Sequence, residues 1–213
     1  MRTVVIALWI LAVAWAIGAA AAPQPAASKG PAVIKQETLT FVAVRGLWVE
    51  FKNAGGQVLK LWLTSGTAFR SGRPADAKDL GVKPGKKFVI RYSTGGQYDR
   101  LLAVMDDASV PVFAQLINPK NGKLVTVVKG DAKSVTCRIG GKTRTYPAAS
   151  SFFCAKDGHE AEIVAEKPAD GKTDRVFVSG EQAVLILTSN GMKALGLVDK
   201  PMYDKFIATM TKP

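Results

Sequence analysis

The sequence predicts an all-β protein: an antiparallel β-sandwich, Ig-like or Greek-key-like in connectivity, finished by a short C-terminal helix. Three observations predict it. Short apolar runs rich in Val, Thr and aromatic residues recur along the chain, broken by Gly, Asn, Asp and Pro. Their spacing suits a sandwich or a barrel. No helix-length amphipathic pattern alternates with them, which counts against a parallel α/β sheet.

The first segment has a different character. Met1–Ala22 opens with one basic residue, Arg2, continues as an unbroken apolar stretch and ends in Gly18 to Ala22. This is the layout of a secretory signal peptide, cleaved just before Ala21 or Ala22. An uncleaved anchor is the alternative, because the stretch is long enough to span a bilayer. Residues 23–31 read as a flexible Pro/Ala/Ser linker. Residues 32–213 form the sandwich body: one compact unit, or two closely packed sub-domains with a break at 106–109. No internal repeat is visible.

Within the body, Leu39–Val44 is the first run. Leu47–Lys52 alternates, with Leu47, Val49 and Phe51 on one face, and after the Asn53–Gly56 turn Val58–Leu63 returns as a hairpin. Leu80–Val82 and Phe88–Tyr92 flank a Lys83–Lys86 turn and read as another strand pair. Leu101–Met105 and Val110–Ile117 are further apolar runs. Leu124–Val128, Ser134–Ile139, Lys142–Tyr146, Glu162–Glu166, Arg175–Ser179 and Ala183–Thr188 complete the series of strands. Asp199 then caps a helix with Pro201 in its first turn. Met202, Phe206 and Met210 fall on one face of it, beside Tyr203 and Ile207, a stripe suited to covering the open end of a core.

Cys137 and Cys154 are the only two cysteines. An exported chain meets an oxidising compartment, so a structural disulfide between them is expected, worth about 3 kcal/mol by loop closure. Their spacing is not that of a redox-active C-x-x-C pair.

Composition excludes several chemistries. One His and two Cys cannot build a multi-ligand zinc, haem or iron–sulfur site. A blue-copper site needs two His. His159 sits in a turn without a nucleophile motif around it. Asp106 and Asp107, if on a strand, point to opposite faces and cannot act as an acid/base pair. No Gly-rich phosphate loop or acidic calcium loop appears. No catalytic residue, metal site or cofactor is assigned.

What remains is charge. Lys+Arg number 29 against 17 Asp+Glu, a formal +12. Lys120, Lys123, Lys129, Lys133, Arg138, Lys142 and Arg144 crowd one stretch in which Asp131 is the sole acid. Lys83, Lys86, Lys87 and Arg91 form a second cluster. If strands pair in sequence, the first cluster occupies hairpin turns and one outward face, which attracts polyanions. Tyr146, Phe152 and Phe153 nearby are expected to pack inside.

The sequence therefore predicts a secreted or periplasmic, non-catalytic binding protein. It would contact an anionic polymer of the cell envelope or extracellular space, or an anionic membrane surface, through residues 120–144. No specific nucleic acid and no small-molecule cofactor are expected. Self-assembly or a protein partner is the alternative: Ala32–Val44 could leave its sheet and complete a neighbour's, building a fibre. An extracytoplasmic hydrolase with carboxylates converging from distant positions is the third reading.

Overall fold

The computed structural model describes residues 31–63, 67–75, 81–164, 173 and 175–212. The signal peptide and residues 23–30 of the linker lie outside them, as does the turn expected at 168–172. Among the described residues the chain is mostly β, with a C-terminal helix. The sheets are mixed and close into rings, which corrects the expectation of an antiparallel sandwich.

The first ring is built from β1 (Val33–Arg45), β2 (Trp48–Lys52), β3 (Val58–Trp62), β6 (Lys87–Thr94) and β7 (Arg100–Met105). A short hairpin, β4 (Thr67–Arg70) and β5 (Arg73–Ala75), lies between the third and fourth of these. The order is β3-β2-β1-β6-β7, and β7 returns to β3 through the parallel pair Trp62–Arg100. Beyond that closure the ring opens out: the last residues of β7 pair in parallel with β4.

The second ring repeats the plan. It uses β8 (Gly122–Gly130), β9 (Ser134–Ile139), β10 (Lys142–Lys156), β14 (Gln182–Leu187) and β15 (Ala194–Val198). The order is β8-β9-β10-β15-β14, closed by β14 on β8. The two-residue β11 (His159–Glu160) extends the end of β10. A small parallel pair, β12 (Glu162–Val164) and β13 (Val176–Val178), stands beside the ring. In both rings the five strands run first-second-third-fifth-fourth and back to first, and the third and fifth are parallel. That is a closed five-stranded connectivity with one parallel pair in each ring. The repeat lives in topology and leaves no trace in residue pattern.

β10 explains how the second ring closes. Its first half, Lys142–Pro147, pairs antiparallel with β9. Its second half pairs in parallel with β15, with a register break between Ala148 and Phe153. One long bent strand thus serves two neighbours, as barrel closure requires. β15 was not anticipated from the sequence. Gly196 in it lets the Phe153 ring lie against the backbone, since a Cβ there would meet ring carbons at 2.9 Å.

Among the described residues three apolar clusters hold the molecule together. Leu39, Val49, Phe51, Leu61, Phe88, Ile90 and Tyr92 fill the first ring. Val125, Val127, Val135, Cys137, Phe177, Leu185 and Leu197 fill the second. The third lies between the rings and joins Phe69, Leu102 and Met105 to Val184, Ile186, Leu195 and Val198. β14 shows why its sequence is a continuous apolar run: Ala183, Leu185 and Leu187 point into the ring, while Val184 and Ile186 point into the joint.

Two helices complete that joint. Val110–Ile117, an apolar run expected among the strands, forms α1 (Val110–Leu116). Its Phe113 and Leu116 lie one turn apart and are buried in the joint. Pro111 sits in its first turn, and the preceding 3₁₀ turn Asp107–Ser109 is capped by Asp106. Asp106 and Asp107 are therefore in a turn and not on a strand. The C-terminal helix forms as expected: α2 (Lys200–Thr211) starts at Asp199, whose side chain accepts from the Met202 amide at 3.1 Å. Tyr203 and Met210 are buried in the joint, with Met202, Phe206 and Ile207 packed beside them.

Two local expectations need correction. Gly81 and Val82 are not in a strand. The Lys83–Lys86 turn instead docks on β1, where the Phe41 amide donates to Lys86 O and the Gly85 amide to Phe41 O, both at 2.9 Å. This occupies backbone groups at the β1 bulge between Phe41 and Ala43. Leu47 does not share the inward face of Val49 and Phe51; it lies exposed in the β1–β2 turn.

Candidate functional site

The seven basic residues expected to form one face are all exposed, but strand register separates them. Arg138 lies opposite Thr126 on one side and Thr143 on the other, on the outer surface of the second ring. Lys142 pairs with Ile139 and Arg144 with Cys137, on the inward row, and Lys123 lies opposite the buried Leu185. These three therefore rim one end of the barrel, and Lys120 in the turn before β8 adds to that end. Lys129 and Lys133 belong to the other end. The six residue steps from Lys123 to Lys129 cover about 20 Å of strand. Asp131 is engaged in the β8–β9 turn, accepting from the amides of Lys133 and Ser134 at 2.7 and 2.8 Å. Those bonds hold its carboxyl below the usual range.

The second basic cluster is structural in part. Lys86 lies over the Phe88 ring at 5.1 Å. Arg91 is half-buried and bonded to the end of α2.

The expected disulfide is absent: Cys137 and Cys154 are both buried free thiols. The reason is the length of β10. Cys137 faces Arg144, and Cys154 lies ten residues further along that strand, paired with Leu197. That is roughly 30 Å of strand contour, which bends around the barrel. The excursion between them is one long strand and not a compact loop. Burial pushes the Cys137 thiol up to about 11. Burial, and then the charges of Glu160 and Glu162, push Cys154 up to about 12. Thiols so protonated are poor nucleophiles and poor metal ligands. Among the described residues no three His, Cys, Asp or Glu gather in a way that could hold a metal ion. Tyr146 packs inside the second ring, and Phe152 and Phe153 pack against its cores.

The arrangement that sequence reading missed lies on the first ring. Trp48 at the start of β2 and Trp62 at the end of β3 are cross-strand partners. Their rings meet edge to face at 4.7 Å. Tyr98, from the β6–β7 loop, stacks on Trp62 at 5.0 Å and meets Trp48 edge-on at 5.4 Å. All three are half-exposed. They gather where β7 closes on β3, so the cluster seals the seam of the barrel and presents rings to solvent there.

Charge accompanies the rings. Register places Arg45 opposite Trp48, and Lys60 opposite Glu50, on the same outer surface. Arg100 pairs with Trp62, and Lys52 continues the outward row of β2. Glu50, buried on this row, meets Arg45 at 3.3 Å and Lys60 at 3.7 Å. A second acid, Asp99, stands between Tyr98 and Arg100, with its backbone carbonyl accepting from the Trp62 amide at 2.7 Å. Four cations thus stand on the strands that carry the aromatic rings and on the neighbouring β1 and β7, with two acids, Glu50 and Asp99, among them. A signal for this was present: both tryptophans occupy the polar phase of alternating strands, where a large apolar ring has no core to enter.

No protein-family model matches the chain, and no curated protein matches it. The outer face of β2 and β3, with the β6–β7 loop beside it, is the part of the first ring that turns aromatic rings to solvent. That face carries Trp48, Trp62 and Tyr98.

Proposed function

We propose that this is an extracytoplasmic, non-catalytic binding protein that holds an anionic polysaccharide against the outer face of the first barrel. The observation that carries the proposal is the Trp48–Trp62–Tyr98 cluster, on strands that, with their neighbours, also carry Arg45, Lys52, Lys60 and Arg100. Rings give a polymer flat apolar surfaces at little entropic cost, and the cations supply attraction to carboxylate, sulfate or phosphate groups. The basic rim of the second barrel, Lys120, Lys123, Lys142 and Arg144, offers a second point of contact. The leader-like Met1–Ala22 supports an envelope or extracellular setting, where such polymers are found.

The test is binding of the exported protein to heparin, a sulfated polysaccharide, measured across a salt series. Trp48→Ala with Trp62→Ala should weaken binding about tenfold, or about 1.4 kcal/mol, at every salt concentration. Charge reversal at Lys142 and Arg144 should instead flatten the salt dependence. Heparin affinity unchanged in both variants defeats the proposal. Tighter binding to a single-stranded nucleic acid than to heparin, lost with the same rings, would move the ligand to a different class.

A further inference from the structure

β1 is longer than its neighbour. β2 pairs with it only from Thr40 to Arg45, whereas β6 pairs with it from Val33 to Thr40. Among the described residues Val33–Leu39 therefore has a strand on one side only. That leaves about 20 Å of backbone edge carrying N–H and C=O groups without a strand partner. Natural edges are usually guarded by proline, a bulge or repeated lysines. This one has no proline, its bulge falls later, between Phe41 and Ala43, and it carries a single lysine. Val33, Lys35, Gln36, Glu37 and Thr38 are exposed, although Glu37 Oε1 accepts from the Tyr92 hydroxyl at 2.7 Å and Gln36 Oε1 from Arg91 at 3.4 Å within the chain.

The order of charges on this edge points to what fits it. Lys35 and Glu37 flank Gln36. When two such edges run antiparallel about Gln36, Lys35 of each copy faces Glu37 of the other. Ile34 then faces Thr38, and Val33 faces Leu39. Opposite charges directly across an antiparallel pair are stabilising, and like charges are not. A shift by one residue breaks both ion pairs and reverses the faces.

We infer that Val33–Leu39 is a self-pairing edge, through which two copies join by a two-fold axis at Gln36 into one continuous sheet. The contact is isologous and closes at two copies, unlike the open fibre that strand exchange would build. β1 stays in its own barrel, bonded to β6 along its first half and to both β2 and β6 near Thr40. Two copies would present two Trp48–Trp62–Tyr98 faces to one polymer. The inference stands independently of polymer binding, since it rests on the edge alone.

The experiment is sedimentation equilibrium of the exported protein with charge variants. Lys35→Glu and Glu37→Lys, each alone, should weaken the dimer about tenfold or more. The double exchange, which restores opposite charges across the axis, should recover most of the affinity. Recovery distinguishes pairing from a general effect on folding, which circular dichroism reads separately. Under mild oxidation, Gln36→Cys should give a covalent dimer faster than the same change at Lys212, the buried native thiols remaining reduced. A monomer at all concentrations, a dimer indifferent to both single exchanges, or assembly beyond two copies overturns the inference.

Discussion

Arg91 on β6 donates from Nε and Nη2 to the carbonyl oxygen of Met210, at 3.0 and 2.9 Å. The carbonyl belongs to the last turn of α2, where helix oxygens lack partners and a cation is favourable. The same guanidinium lies 5.9 Å from the centre of the Phe113 ring on α1. One side chain of the first barrel thus anchors both helices of the joint. Arg91→Ala should cost about 1.5–3 kcal/mol, the range for hydrogen bonds to charged groups. Denaturant unfolding measures this. Arg91→Lys should recover only part, because an ammonium cannot reproduce the paired fork.

Asp106 makes the corresponding tie on the other side of the joint. Its carboxylate accepts from the Ser71 amide at 2.9 Å and from the Ser109 amide at 2.9 Å, and it also bonds the Ser109 hydroxyl. Ser109 Oγ in turn accepts from the Gly72 amide at 2.9 Å. Gly72 has φ +79°, and a Cβ there would come within 2.8 Å of Val112. The passage from the first ring to α1 is therefore fixed by hydrogen bonds and a close backbone approach. Asp106→Ala should lose about 1–3 kcal/mol by leaving buried donors unpaired. Asp106→Asn should lose less. Hydrogen exchange at Ser71 and Ser109 should rise in both variants.

The buried thiols make an alkaline prediction. Both titrate higher in the folded chain than the usual thiol value of 9.0, at about 11 and about 12. The folded state then holds protons that the unfolded state releases above pH 9. Stability from this source is complete below pH 9 and falls as pH rises towards 11–12. Cys137→Ala with Cys154→Ala should flatten the alkaline slope of unfolding free energy measured between pH 9 and 11. At pH 8 the native chain should resist iodoacetamide, and both thiols should react once urea unfolds it.

Gly122 predicts how firmly α2 is seated. A Cβ there would run into the Tyr203 hydroxyl and come within 2.6 Å of its Cζ. The phenol is held in the joint and its oxygen is buried, so it has little room to withdraw. Gly122→Ala should destabilise by about 1–3 kcal/mol through overpacking. Tyr203→Phe in the same chain should restore part of that, since the nearest contact is the hydroxyl. Thermal unfolding of the single and double variants reads the coupling.

How much of this was legible beforehand differs by scale. Alternation and turn residues placed most strands, because side-chain period and backbone turn chemistry are local properties. α2 was legible for the same reason: its cap, proline and apolar stripe lie within a dozen residues. β15 was not, because ALGLV has no alternation once both of its faces are buried. α1 was misplaced among strands because a short apolar run carries no reliable period. The tryptophan face was half legible, since the polar phase of β2 and β3 was readable but their proximity to Tyr98 was not.

By itself the sequence determined an all-β body with a capped terminal helix, a strong positive charge, and too few His and Cys for a multi-ligand metal centre. Those follow from composition and from spacings of a few residues. Only the tertiary structure decided that the sheets close into two rings of one connectivity and that the cysteines stand apart on one long strand. It also decided that Trp48, Trp62 and Tyr98 meet at a barrel seam while the basic residues of 120–144 divide between its ends. The physical reason is that alternation reports which face of a strand is buried, whereas partner, direction and closure are settled by contacts between residues far apart in the chain.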